Sequence, residues 1–213
     1  MLTGKRDKRF FTAEQFAVML RDHEMTIEHD DGLYRHLYCR STKHCFDWFD
    51  IVTWPGSLSF SGDLGSYTFS RTDDMLGFFA GKDGRDLPFD YWAEKAVAVD
   101  RHSGMKTHSK RALLQFVVDR AKDMISDLED GDRKGRREII EAARELIDDV
   151  RHCNTWFEMT DTVVNFNKAG LSFEDAESLP DPVLVQRFYL ACRCINWAAN
   201  RYLEIKKLEG LAC

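Results

Sequence analysis

The sequence predicts an α+β protein: an N-terminal antiparallel β-meander of four to five strands packed against a mainly helical C-terminal two-thirds. Three observations predict it. Residues 25–71 alternate large apolar with small polar residues, the period of two that a strand with one buried face requires. Clusters containing Gly and Pro interrupt that stretch at short intervals, as hairpin turns do. From residue 109 onward, apolar residues recur every three to four positions, the period of a helix with one buried stripe.

Each element has its own signal. Thr12-Ala-Glu-Gln15 reads as a capping box opening a helix to about His23, with Phe16, Met19 and Leu20 as its buried stripe. Lys5 to Arg9 form a solvated basic lead-in. Thr26 to Glu28 and Leu33 to Arg40 have strand character, and Asp30-Asp31-Gly32 is the turn between them. Cys45 to Trp54 is the strongest strand and ends at Pro55-Gly56-Ser57, because Pro fixes φ and Gly permits φ > 0. Leu58 to Phe60 and Tyr67 to Phe69 alternate cleanly around the turn Gly62-Asp63-Leu64-Gly65. The meander should bury its large residues on one face and line the other with Ser and Thr.

Thr72 or Asp73 then caps a short helix carrying Met75, Leu76, Phe78 and Phe79, and a polar loop follows from Gly81 to Asp86. Residues 89–100 read as helical. Residues 109–129 and 136–151 carry helical stripes, joined by a charged linker at 130–135. Trp156 to Phe166 fits strand and helix equally. Asp181-Pro182 looks like an N-cap and first-turn pair starting a long apolar helix to about Leu208. The expected organisation is a single domain over residues 1–213, with 1–100 the meander and its flanking helices and 101–213 the helical part.

Composition limits the function classes. Of 213 residues, 44% are hydrophobic and 12% aromatic, enough for a substantial core. The formal net charge of −6 disfavours direct nucleic-acid binding, which needs a basic face, and suits a partner with a basic surface. No stretch approaches the ~18 apolar residues of a membrane span. The charged N-terminus lacks an apolar region after it, so no secretory signal is expected and the expected location is the cytoplasm. Cys39, Cys45, Cys153, Cys192, Cys194 and Cys213 are expected to be reduced there.

Candidate sites are few. Gly62-Asp63-Leu64-Gly65 either presents the Asp63 carboxylate at a loop tip or is a plain tight turn. Arg71, beside Asp73 and Asp74, either holds an anionic ligand or pairs internally. His36, Cys39, His44 and Cys45 are zinc-type donors at a spacing that matches no common zinc motif. Cys192 and Cys194 point about 200° apart on a helix, so they cannot meet at one ion. Arg133, Lys134, Arg136 and Arg137 form a basic cluster flanked by acids, which reads as a solvated loop. No phosphate-binding Gly-Lys-Ser/Thr ending and no Gly-x-Ser-x-Gly elbow occurs, and no catalytic residue, metal or cofactor is assigned. Trp54, Asp63, Arg71, Asp74 and Trp92 remain as candidate binding residues.

The run from Phe46 to Arg71 contains Trp54-Pro-Gly56, then Gly62-Asp63, then Phe69-Ser-Arg71. With Asp74-Met75, Phe78-Phe79, Tyr91-Trp92-Ala-Glu-Lys95 and a C-terminal helix holding Cys192, Cys194, Ile195 and Trp197, it resembles a group of phage and prophage accessory proteins. The resemblance implies a protein that binds and blocks a host protein or ribonucleoprotein complex, including defence systems such as CRISPR. The alternative is an enzyme acting on a nucleotide or nucleic acid through a site near Asp63, Arg71 and Asp74.

Overall fold

The hydroxyl of Thr12 accepts a hydrogen bond from the Gln15 N–H, and the Gln15 side-chain oxygen accepts one from the Thr12 N–H. The predicted capping box therefore opens α1 (Ala13–Met19). This computed structural model describes residues 12–45, 48–81, 86–102, 104–173 and 179–211. The expected basic lead-in, Phe46 and Asp47, and positions 82–85 of the polar loop lie outside the described residues.

The meander follows as β1 (His23–Asp31), β2 (Tyr34–Ser41), β3 (Phe49–Trp54), β4 (Ser57–Gly62) and β5 (Gly65–Ser70). Each pairs antiparallel with its neighbour in sequence. The first turn lies one to two residues later than expected: Asp30 and Asp31 belong to β1, and Gly32, at φ +60°, takes the turn with Leu33. Strand β3 begins at Phe49 rather than Cys45. Pro55-Gly56 turns as predicted, with Gly56 at φ +80°.

Two corrections concern the next segment. Helix α2 (Met75–Phe79) is capped by Asp74, whose carboxylate accepts from the Leu76 and Gly77 N–H groups, and not by Thr72 or Asp73. The expected helix over 89–100 stops after α3 (Phe89–Ala93), and Ala96–Ala98 becomes β6, the sixth strand, beside β5. Tertiary pairing to the open edge of β5 decides those three residues, which local propensity cannot.

The chain divides into two compact units: residues 1–106 with 184–213, and residues 107–183. At the crossing come β7 (Lys106–Thr107), α4 (Lys110–Ser126), α5 (Arg133–His152) and α6 (Trp156–Val164). Helix α5 begins inside the predicted linker because Asp132 caps it through the Gly135 N–H. Trp156 to Val164 is helical, since Thr155 and Glu158 form a second capping box. A small hairpin, β8 (Asn167–Lys168) and β9 (Leu171–Ser172), completes this unit, and β10 (Val183–Leu184) leads out of it. Helix α7 (Gln186–Leu211) starts after β10, so Asp181-Pro182 does not cap it.

In the first unit the core lies between the sheet and α7. Phe188, Ala191, Cys192, Ile195, Ala199 and Tyr202 are buried at helical spacing on α7. They meet Leu37, Ile51, Leu58, Phe60, Tyr67 and Phe69 from the sheet's inner face. Burying each such side chain contributes about 1.5–3 kcal/mol. The second unit has its own core, where Leu113 and Val117 of α4, Leu146 and Val150 of α5, and Val163 of α6 are fully buried. Lys110 Nζ donates to the carbonyls of Arg151 and Cys153 and so closes the C-terminal end of α5.

The turn of the β8–β9 hairpin holds the one non-Gly residue with positive φ among the described residues, Ala169 at +52°, followed by Gly170 at +76°. Two positive φ values make a hairpin turn that favours Asn-Gly. Ala169→Asn is expected to raise stability by about 0.5–1 kcal/mol, read as a higher urea midpoint at unchanged slope. A lower midpoint would contradict the strained-turn assignment.

Candidate interaction face of the sheet

A strand sends alternate side chains to opposite faces, so the register assigns each row of the sheet. The row Leu37–Ile51–Phe60–Tyr67 faces α7 and is buried. The neighbouring row His36–Val52–Ser59–Thr68, and beyond the buried one Tyr38–Asp50–Ser61–Ser66, occupy the other face. That face is polar and small on β4 and β5, as the alternation predicts, with a Ser59–Thr68 hydroxyl pair at 3.3 Å. On β2 and β3 it is different. His36 Nε2 lies 2.7 Å from Asp50 Oδ1, Val52 is 39% exposed and Trp54 38%. Trp48, just before β3, is 36% exposed, and its ring centroid lies 6.5 Å from that of Tyr38. Beside Trp48 opens a recess of about 280 Å³ lined by Tyr38, Arg40, Ser41, His44, Cys45 and Trp48. Tyr34, at the end of the sheet where β3 terminates in Trp54, is 55% exposed.

This surface combines rigid aromatic anchors with short hydroxyl side chains. Trp and Tyr supply contact area at little conformational cost, and Ser and Thr adapt their hydrogen bonds to what they meet.

No protein family, curated protein or solved structure matches this chain.

The predicted site residues scatter over the first unit. Trp54 stands on the aromatic face. Asp63 sits in the β4–β5 turn and Arg71 follows the far end of β5, so the six residues of β5 separate them, roughly 20 Å at strand rise. These two do not share a pocket. Trp92 is 1% exposed, packed against Phe79 with ring centroids 4.7 Å apart, and offers no surface. Asp74 does take an arginine, but it is Arg35 of β2 and not Arg71: Nη1 and Nη2 reach the two carboxylate oxygens at 2.8 and 3.2 Å.

That pair belongs to a network the sequence could not disclose. Arg35 lies over the Tyr202 ring, 5.1 Å from its centroid. Tyr202 donates its hydroxyl to Asp30 Oδ1 at 2.8 Å, and Lys206 reaches Asp30 Oδ2 at 2.7 Å. A break in the β1–β2 register between Ile27 and His29 makes this geometry. One extra residue in β1 reverses the alternation, so Asp30 turns to the helix side with Arg35. Burial works to raise the Asp30 carboxyl, but the bonds from Lys206 and Tyr202 outweigh it and hold it below its ordinary value. Asp74 is likewise opposed by burial, yet Arg35 and the Gly77 and Leu76 N–H groups keep it lowered.

The sign of the pH dependence follows. Both carboxyls are more acidic folded than unfolded, so their contribution is complete above the ordinary carboxylate pKa of about 4 and is lost as pH falls through the lowered values. Arg35→Met is expected to cost about 1–3 kcal/mol at pH 7, since Asp74 keeps its N-cap bonds and some exposure. In urea titrations the variant's deficit should shrink as the pH is lowered below about 4. A deficit independent of pH would show that packing, not charge, is what Arg35 supplies.

The remaining sequence candidates separate similarly. His36 and Cys39 of β2 lie on opposite faces of the sheet, and Cys39 is buried, where burial pushes its thiol pKa up. Among the described residues, no three His, Cys, Asp or Glu side chains gather at a metal-binding distance. Cys192 and Cys194 are both buried in the core. The basic cluster forms the first turn of α5, exposed, with Lys134 and Arg137 each 3.8 Å from a Glu one turn on. No helix among the described residues is long and apolar enough to cross a membrane.

Proposed function

We propose that this is a phage accessory protein that binds and blocks a host protein or ribonucleoprotein complex, using the outer face of its sheet. The observation that carries the reading is the line of part-exposed Trp48, Val52 and Trp54 running along β3, with a recess beside Trp48 and rows of Ser and Thr on the neighbouring strands. Apolar side chains of this size, held on a rigid sheet at the solvent boundary, gain most when a partner covers them. The run that resembles phage accessory proteins contains the same β3 to β5 segment. Charge adds to it. Residues 107–183 hold seventeen of the 36 acidic residues but eleven of the 30 basic ones, so the net charge of −6 resides in the second unit. That field favours encounter with a basic partner surface, at a rate that falls with salt.

Affinity capture from bacterial host lysate tests the reading. The wild-type chain should retain a defined complex, and Trp48→Ala/Trp54→Ala should lose at least about tenfold of it, about 1.4 kcal/mol or more. The double variant should keep the wild-type circular dichroism spectrum, since both rings are part-exposed. Capture of nothing by the wild type, or equal capture by the variant, would refute the assignment of this face.

A further inference from the structure

A second concavity lies elsewhere in the first unit. It is a groove of about 560 Å³ between α1 and α7, within the size range of small-molecule sites. Its chemistry is divided. Ala13, Phe16, Ala17 and Leu20 of α1 and Trp197 of α7 form an apolar, partly aromatic wall. Arg21, Arg193 and Arg201 also line it, with Glu204 the one acidic residue and His23 beside them. Three arginines and one carboxylate thus line one concavity, with Glu14 of α1 acting on Arg193 beside it.

Packing holds Arg193 in place. Arg193 lies between two rings, 5.9 Å from the centroid of Phe16 and 5.3 Å from that of Phe89. Burial pulls its pKa down, against the attraction of Glu14. Arg201 leans on Glu204, Nη1 to Oε2 at 3.4 Å, a long contact on the exposed side of α7. Asn196 donates to the Phe79 carbonyl at 2.7 Å, and Asn200 accepts from the Gly81 N–H at 2.8 Å, so the floor is braced to the end of α2. Trp197 meets Phe49 edge-on, with centroids 6.3 Å apart.

We infer that the α1–α7 groove binds a small anion built on a planar ring, the chemistry of a nucleoside monophosphate. Arginine is suited to the oxyanion end, because its planar fork matches phosphate oxygens in pairs. Phe16 and Trp197 supply the apolar wall that a base requires. A groove of this volume admits one such molecule.

Isothermal titration of the full chain at about 50 mM salt tests this, with AMP, adenosine and inorganic phosphate as separate arms. AMP should saturate with a Kd below about 1 mM, and adenosine and phosphate alone should each bind at least about tenfold more weakly. Arg21→Glu/Arg201→Glu should weaken AMP at least about tenfold, while Arg71→Glu, outside the groove, should leave it unchanged. A second readout does not depend on how the double variant folds. The Trp197 indole N–H resonance, assigned with Trp197→Phe, should shift as AMP is added. No saturable binding, equal affinity for AMP and either fragment, or an unmoved Trp197 signal would each overturn the inference. Because the groove is separate from the outer sheet face, these outcomes are independent of partner capture.

Discussion

Trp92→Ala is expected to destabilise the fold by about 3–5 kcal/mol, a large part of the stability of a domain of this size. The side chain is 1% exposed, and its ring meets Phe79 at 4.7 Å and Phe89 at 6.0 Å between centroids. Phe79 in turn packs edge-on against Phe69 of β5 at 5.0 Å. Truncation therefore leaves a cavity at the point where α2 and α3 meet the sheet, and rigid aromatic neighbours cannot collapse into it. Trp54→Ala should cost less than about 1 kcal/mol, because a ring 38% exposed on the outer face already borders water. Urea unfolding of the two variants measures the difference. Equal losses would mean that Trp54 is structural and would weaken the case for its face as a binding surface.

Gly62→Ala should be comparably damaging, at about 3 kcal/mol or more. Gly62 ends β4, opposite Phe49 on one side and Gly65 on the other, with φ +153°. A Cβ there would lie 2.3 Å from the Trp48 carbonyl oxygen and 2.8 Å from Phe49 Cα. Both obstacles are backbone atoms, so no rotamer change relieves the overlap and the β3–β4 pairing itself must open. Gly56→Ala is the control. It also has positive φ, at +80°, but nothing lies within 4 Å of the added Cβ. Its cost should stay near the conformational penalty alone, about 1 kcal/mol. Similar midpoints for the two variants would contradict the close approach at Gly62. Because Trp48 precedes β3 at this contact, Gly62→Ala should also disturb the recess beside Trp48, whereas Gly56→Ala should not.

By itself the sequence determined the elements that local chemistry controls. The capping box at Thr12, the Pro55-Gly56 turn, the alternation of Leu58 and Phe60 with serines, and the stripes of α4 and α5 are all short-range patterns. Each depends on residues within about one turn of one another, and each could be read from spacing. Only the tertiary structure decided the rest. Residues 96–98 became a strand because β5 had an edge to pair, and Asp30 turned inward because one extra residue in β1 reversed its alternation. Asp74 chose Arg35 over the nearby Arg71, and Tyr202 met Asp30 across 172 positions of chain. Which tryptophan is core and which is surface was settled in the same way: Trp54 and Trp92 are chemically identical, and the packing of α2 and α3 on the sheet covers only Trp92. Long-range burial and pairing energies outweigh the fractions of a kcal/mol in local propensity, so those outcomes have no signature at short spacing.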